Sequence, residues 1–203
     1  MAIWAIIPVK SLQHTKSRLT AVLSASERAH LTSHLLTRLL IILDNTPEVA
    51  QIIVVSRDET IGRVARQHNA IPLVESPEAK LNAAVHTGVN FAAAQGARQL
   101  LILPSDLPFL TRDDVAVVCA PLPSTSPSLI ICPDRHQRGT NALCLPSDCS
   151  FQFQFGPDSF QQHLQEARRG RLTPHIIHTP GWQFDLDTVE DWAIYAQANI
   201  HNP

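Results

Sequence analysis

Apolar positions along the chain fall into two alternating patterns. Continuous apolar runs occur at residues 2–8, at "QIIVVS" (51–56), at "AIPLV" (70–74) and in "QLLILPSD" (99–106). Between them lie 26–44, 58–68 and 81–95, where polar and apolar residues mix at helical spacing. The first pattern predicts buried strands and the second predicts amphipathic helices. Ser26 is expected to begin the helix that ends near Asp44. Thr111, followed by Asp113 and Asp114, predicts another helix start, because an acidic first turn suits the helix dipole.

The second half continues in kind. "SLIICP" (128–133) and "NALCL" (141–145) read as strands. A helix beginning at Asp158 or Ser159 is expected to end at Gly170, read as a C′ glycine. "WQFDLDT" reads as an extended lead-in to a last helix, "VEDWAIYAQAN". The proline-rich run "PLPSTSP" (121–127) is too short for a linker and reads as a surface loop. The whole predicts one α/β domain over residues 1–203, a three-layer αβα sandwich on a mostly parallel sheet of six or seven strands. Ligands in such sheets bind beyond the carboxyl ends of the strands.

Composition narrows the function classes. With 203 residues, 44% hydrophobic and 17% charged, the chain can bury a sizeable core. A net charge of -2 argues against a general nucleic-acid or membrane-surface binder, so any cationic site must be local. No apolar run approaches the roughly 20 residues of a membrane span, and the N-terminus reads as a strand instead of a leader. The four cysteines lack C-x-x-C spacing and read as reduced thiols of a cytoplasmic protein. His30 and His34 sit four apart on a helix without a third ligand, and read as surface residues.

Chemistry-bearing residues gather after the strands. Lys10, Ser11, Lys16, Ser17 and Arg18 follow the first strand. Ser105 and Asp106 follow "LLIL", with Pro104 and Pro108 stiffening the backbone around Asp106. Asp134, Arg135, Gly139, Thr140 and Asn141 follow the 128–133 strand, and Asp185 and Asp187 share one side of an extended segment. Thr188 or Asp187 could instead cap the last helix. Carboxylates from distant segments meeting beside a cationic loop suit a magnesium–triphosphate complex, since Mg²⁺ takes one or two carboxylates plus phosphate oxygens and water. The signatures of P-loop, dinucleotide-binding and α/β-hydrolase sites are missing.

Six stretches carry a resemblance: "IPVKSLQHTKSRL", "LNAAVHTG", "LILPSDLPFLT", "PDRHQRGTNAL", "FQFGPDSFQQHLQEAR" and "DLDTVEDW". With them the chain resembles the nucleotidyltransferases of the glycosyltransferase-A-like superfamily, of nucleotide-diphospho-sugar transferase type. It is closer still to the guanylyltransferases that act on phosphoenolpyruvate or 2-phospho-L-lactate in deazaflavin coenzyme F-420 biosynthesis. "PSDLP" and "DLDTVED" are superfamily-level signals, whereas "GTNAL" followed by "FGPDSF" is specific to the family.

The resemblance implies GTP and a small phosphorylated three-carbon acid as substrates, Mg²⁺ as cofactor, and a downstream transferase that takes the product. It implies that Pro8, Val9, Lys10, Ser11, Lys16 and Arg18 hold the triphosphate. Leu81, Asn82 and Ala83 would recognise base and ribose. Asp106 and Asp187 would hold the metal, with Asp185 a further candidate. Thr140, Gly156 and Ser159 would bind the acid, with phosphoenolpyruvate favoured. It also implies an antiparallel strand near 141–145. Where the family commonly has glycine before "LNAA", this chain has Lys80. Another nucleotidyltransferase of the same fold, of molybdopterin or sugar-phosphate type, and a non-catalytic nucleotide-binding module are the alternatives.

Overall fold

The computed structural model describes residues 2–76, 80–120 and 127–200. Seven strands, β1 (Ile3–Pro8), β2 (Val49–Val55), β3 (Ile71–Leu73), β4 (Gln99–Ile102), β5 (Ser128–Pro133), β6 (Thr140–Pro146) and β7 (Thr173–Ile176), form one sheet. Its order is β3-β2-β1-β4-β6-β5-β7, with β6 antiparallel to both neighbours and the other pairs parallel. The helices are α1 (Ala25–Asp44), α2 (Glu59–Gln67), α3 (Leu81–Ala94), α4 (Arg112–Cys119), α5 (Ser159–Arg169), α6 (Pro180–Gln183) and α7 (Val189–Ile200). The antiparallel strand expected from the resemblance is β6. All but Pro127 of the run at 121–127 lies outside the described residues.

Alternation along the strands sorts the core into two layers. Ala5, Ile7, Val54 and Leu101 pack with Leu36 and Leu40 of α1 and Val115 of α4. Ile6, Ile53, Val55 and Leu100 pack on the other face with Val85 of α3 and Phe160 of α5. Each fully buried Leu or Ile contributes roughly 1.5–3 kcal/mol relative to exposure. Helix α3 lies so close to β1 that a Cβ at Gly88 would stand 2.5 Å from Ile6 Cγ2. Gly88→Ala would therefore push α3, and the site residues at its start, off the sheet.

Three local expectations are corrected and one strand is added. Helix α1 is capped by Ser24, not Ser26: Glu27 N–H donates to Ser24 Oγ, and Glu27 returns a bond to the Ser24 backbone. Gly170 has φ −79°, and Arg171 takes the left-handed turn (φ 55°) that closes α5. Leu172 N–H reaches the Ala167 carbonyl there, so the turn has the expected bonding one residue later. Trp182 and Gln183 close the short helix α6, leaving only Phe184 to Asp187 as extended lead-in. Strand β7 was not expected, because "TPHI" is a partly exposed edge without an apolar run.

Candidate active site

The carboxyl ends of β1 and β4 and the amino end of β6 open on one rim. From β1 the chain passes through Val9, whose N–H still pairs with Val55, into two 3₁₀ turns at Leu12–His14 and Ser17–Leu19. Asp58 pins this loop. Its Oδ2 accepts from Ser11 Oγ (3.2 Å) and Leu12 N (2.9 Å), while its Oδ1 caps α2 through Thr60 N (3.0 Å). Burial pushes its pKa up, but the backbone donors of Leu12, Thr60 and Ile61 outweigh burial and hold it below the ordinary value.

Lys16 sits between the two turns in a left-handed conformation (φ 49°), which sends its side chain inward. Its Nζ lies 2.5 Å from Asp106 Oδ2, 2.5 Å from the Leu186 carbonyl and 3.4 Å from Asp187 Oδ1. Burial disfavours the ammonium, yet Asp106 and Asp187 outweigh it and raise its pKa. Arg18 NH1 reaches the other Asp187 oxygen at 3.0 Å. Leu186 N–H donates to the Asp106 carbonyl, so the two carboxylate-bearing segments are tied together by backbone as well. Capping of α7 falls to Thr188 and Asp191, which leaves the Asp187 side chain for the rim.

Asp185 stands behind this pair. Burial first, then the charges of Asp106 and Asp187, push its pKa up to about 6. A site that penalises a third negative charge is one that suits a cation. Asp106 and Asp187 each place an oxygen within reach of one point, where the Lys16 ammonium is the resident cation. That donor set fits Mg²⁺, although among the described residues no group of three or more His, Cys, Asp or Glu side chains forms a ready metal cage.

The second half of the rim is built by β6 and α5. Thr140 and Ser159 are buried, with Ser159 Oγ 3.3 Å from Thr140 Oγ1. Asp158, the residue before α5, makes no side-chain cap bond and instead pairs with Arg138. Ser159 is the first residue of the helix, so it is not the cap that its sequence position allowed. Gly156 has φ 138°, a conformation that side chains rarely adopt, and it turns the chain towards the rim.

A cavity of about 770 Å³ joins these parts. Pro8, Arg18 and Leu81 line one end, Asp106, Asp185 and Asp187 its middle, and Thr140, Gly156 and Ser159 the other end. A neighbouring cavity of about 330 Å³ is lined by Pro8, Val9, Lys10, Ser11 and Leu81, with Glu75 and Lys80 opposite. Lys80 has φ −89°, so the backbone there makes no demand for glycine. Ala83 is exposed on α3. Asn82 does not offer its amide to either cavity: Oδ1 accepts from Phe155 N (2.8 Å) and Nδ2 donates to Phe155 O (3.2 Å). Asp58, His163 and this role of Asn82 were missed in the sequence, since each depends on a partner far along the chain.

Residues 3–195 match the family described as guanylyl transferase CofC like. The chain belongs to that family. It is 37% identical to the phosphoenolpyruvate guanylyltransferase of Roseiflexus castenholzii over 99% of this chain and 91% of the relative. It is 39% identical to the enzyme of the same name from Rubrobacter xylanophilus, over 95% and 93%. The 2-phospho-L-lactate guanylyltransferase of Methanothermobacter thermautotrophicus is 33% identical, over 92% of this chain and 81% of the relative. Among solved structures, one described as a nucleotide-diphospho-sugar transferase from Desulfovibrio desulfuricans superposes with a TM-score of 0.80 at 18% identity, covering 100% of this chain and 90% of that one. That likeness speaks for the fold alone.

Proposed function

We propose that this CofC-like guanylyltransferase transfers GMP from GTP to phosphoenolpyruvate, releasing pyrophosphate, as a cytoplasmic step in deazaflavin coenzyme F-420 biosynthesis. The observation that carries the reading is the cavity that Pro8 and Arg18, three carboxylates, and Thr140, Gly156 and Ser159 line together, with Lys10 and Ser11 lining the cavity beside it. A nucleotide and a compact acid can lie in it end to end.

An acceptor phosphate oxygen forms a bond to the α-phosphorus of GTP as the bond from that phosphorus to the β-bridging oxygen breaks. The acceptor phosphate is already ionised at neutral pH, so no side chain needs to remove a proton. Lys10 and Arg18 hold the triphosphate by charge, and Asp58 keeps their loop in shape. Asp106 and Asp187 would hold Mg²⁺, which neutralises phosphate charge and polarises the phosphoryl group when bound. Lys16, already between those carboxylates, supplies positive charge beside the transferring group. Burial raises the thiol pKa of all four free cysteines, Cys119 to about 12 and Cys149 to about 11, which fits a route without a covalent cysteine intermediate.

The test is pyrophosphate release with each of the four nucleoside triphosphates, with phosphoenolpyruvate, 2-phospho-L-lactate or no acid. GTP with phosphoenolpyruvate should be the fastest pair. Preference for another triphosphate would sink the reading, and preference for 2-phospho-L-lactate would change the acceptor. The guanylylated acid should be labile, and a transferase that consumes it is the expected partner.

A further inference from the structure

His163 lies on α5 beneath the acceptor end of the cavity and is fully buried. Its Nε2 is 2.9 Å from Gln154 N, and its Nδ1 is 3.0 Å from Thr140 Oγ1. A backbone N–H can only donate, so Nε2 must present its lone pair to Gln154. In the neutral ring the proton then sits on Nδ1, and Thr140 Oγ1 accepts it.

The consequence runs on to Ser159. Thr140 and Ser159 together hold two hydroxyl protons, and the 3.3 Å bond between their oxygens uses one of them. His163 fills one acceptor position on Thr140 and cannot accept in return. One hydroxyl proton is therefore left without an acceptor among the described residues, and Thr140 and Ser159 both line the cavity. Were the ring in the other tautomer, Nδ1 could take that proton and the pair would turn away from the pocket.

The same ring fixes the segment that delivers Gly156. Residues 151–155, "FQFQF", run as irregular backbone, and three of their N–H groups donate to side chains. Gln152 N donates to Glu166 Oε1 (3.1 Å), Gln154 N to His163, and Phe155 N to Asn82. The Phe155 ring also meets the imidazole edge-on, with centroids 4.8 Å apart.

We infer that His163 is a positioning residue for the acceptor: held as the Nδ1–H tautomer by Gln154, it turns the Thr140–Ser159 hydroxyl pair into a net donor aimed at an anion. This rests on the proposed acceptor site and deepens it, since the ligand must be an anionic acceptor-only group such as a carboxylate or phosphate. Burial, which holds the ring's pKa down to about 4 against the charge of Glu166, is consistent with a neutral imidazole.

Two measurements test it on the full-length protein. Imidazole ¹⁵N spectra at neutral pH should show His163 protonated on Nδ1 and bare on Nε2; the opposite tautomer, or an imidazolium, overturns the inference. In kinetics, His163→Phe should raise KM for phosphoenolpyruvate by about tenfold or more while KM for GTP stays within about twofold, the scale of a hydrogen bond to a charged group. His163→Asn, whose amide can donate from the Nδ1 position, should recover most of that loss. Equal losses for both variants, or a rise in KM for GTP to match, would make the residue merely structural and overturn the inference. If His163→Phe fails to fold, the spectra and His163→Asn still decide it. Absence of turnover with any phosphorylated acid in the unmodified protein would defeat the guanylyltransferase reading, whereas the tautomer is read without any substrate.

Discussion

Lys16 Nζ lies 2.5 Å from Asp106 Oδ2, with only 5% of the Lys16 side chain exposed. A residue expected to bind phosphate from its place in a cationic loop is thus folded back onto one of the two residues expected to hold a metal. Both carboxylates that would share Mg²⁺ contact one ammonium, and Asp187 pairs with Arg18 as well. Removing it as Lys16→Met should cost about 1–3 kcal/mol in metal-free buffer, less than a fully buried pair because Asp106 keeps 22% exposure. Added Mg²⁺ should restore more stability to the variant than to the parent. Thermal unfolding with and without Mg²⁺ measures both, and equal metal responses would show that ammonium and metal do not share the site.

Asp106→Asn and Asp187→Asn should each lower kcat by at least about a hundredfold, the scale of losing a principal electrostatic group. Asp187→Asn should shift the unfolding midpoint by no more than a few degrees, whereas Asp106→Asn, which takes a principal partner from the buried Lys16 ammonium, should cost about as much stability as Lys16→Met. Asp185→Asn should be milder, because Asp185 lies behind the pair and its buried carboxylate is held near pKa 6. Pyrophosphate release at saturating substrates distinguishes the three. A variant of Asp106 or Asp187 with near-native turnover removes that residue from the metal site.

Arg18→Ala is expected to raise KM for GTP and lower kcat without loss of stability. Its pair with Asp187 is 3.0 Å long but the Arg18 side chain is 72% exposed, and such pairs contribute about 0–1 kcal/mol. A shift in acceptor KM alone would reassign Arg18 to the other end of the cavity.

Stability should fall on acidification through His163. Burial sets its folded pKa near 4, below the unfolded value of 6.5, so the unfolded chain binds the extra proton first. Its contribution is complete above pH about 6.5 and is lost as pH falls towards 4, on the order of 3 kcal/mol in all. Urea unfolding at pH 7, 6, 5 and 4.5 should show this slope in the parent and a shallower one in His163→Asn. Identical slopes would mean that the ring is not held neutral.

How much of this was legible in the sequence depends on how far apart the partners lie. Strands β4 and β5, and β2 from Ile52 onward, announced themselves because both faces are buried and the apolar run is unbroken. Strand β7 did not, since an edge strand with Pro174 and exposed ends buries too little to leave a pattern. Asp106 stood out through its flanking prolines, and it does face the rim. Asp58 read as part of an ordinary helix start and Asn82 as a nucleotide contact, because their actual partners lie 46 and 73 positions away. The cap of α1 was within reach: Ser24 with Glu27 three positions on is a capping-box spacing.

The antiparallel placement of β6 has a consequence for biosynthesis. By Cys119 the growing chain contains β3, β2, β1 and β4 and the helices α1 to α4, while α5, which covers part of one face, is still to come. One edge of β4, with Leu100 and Leu101, stays bare until Thr140–Pro146 has left the ribosome and folded back beside it. A bare apolar edge templates pairing with any strand that arrives first, including one from another nascent chain. A polypeptide cut off after Cys119 should therefore self-associate, and the stretch of translation between the two strands is the interval in which this edge is open to pairing with the wrong strand.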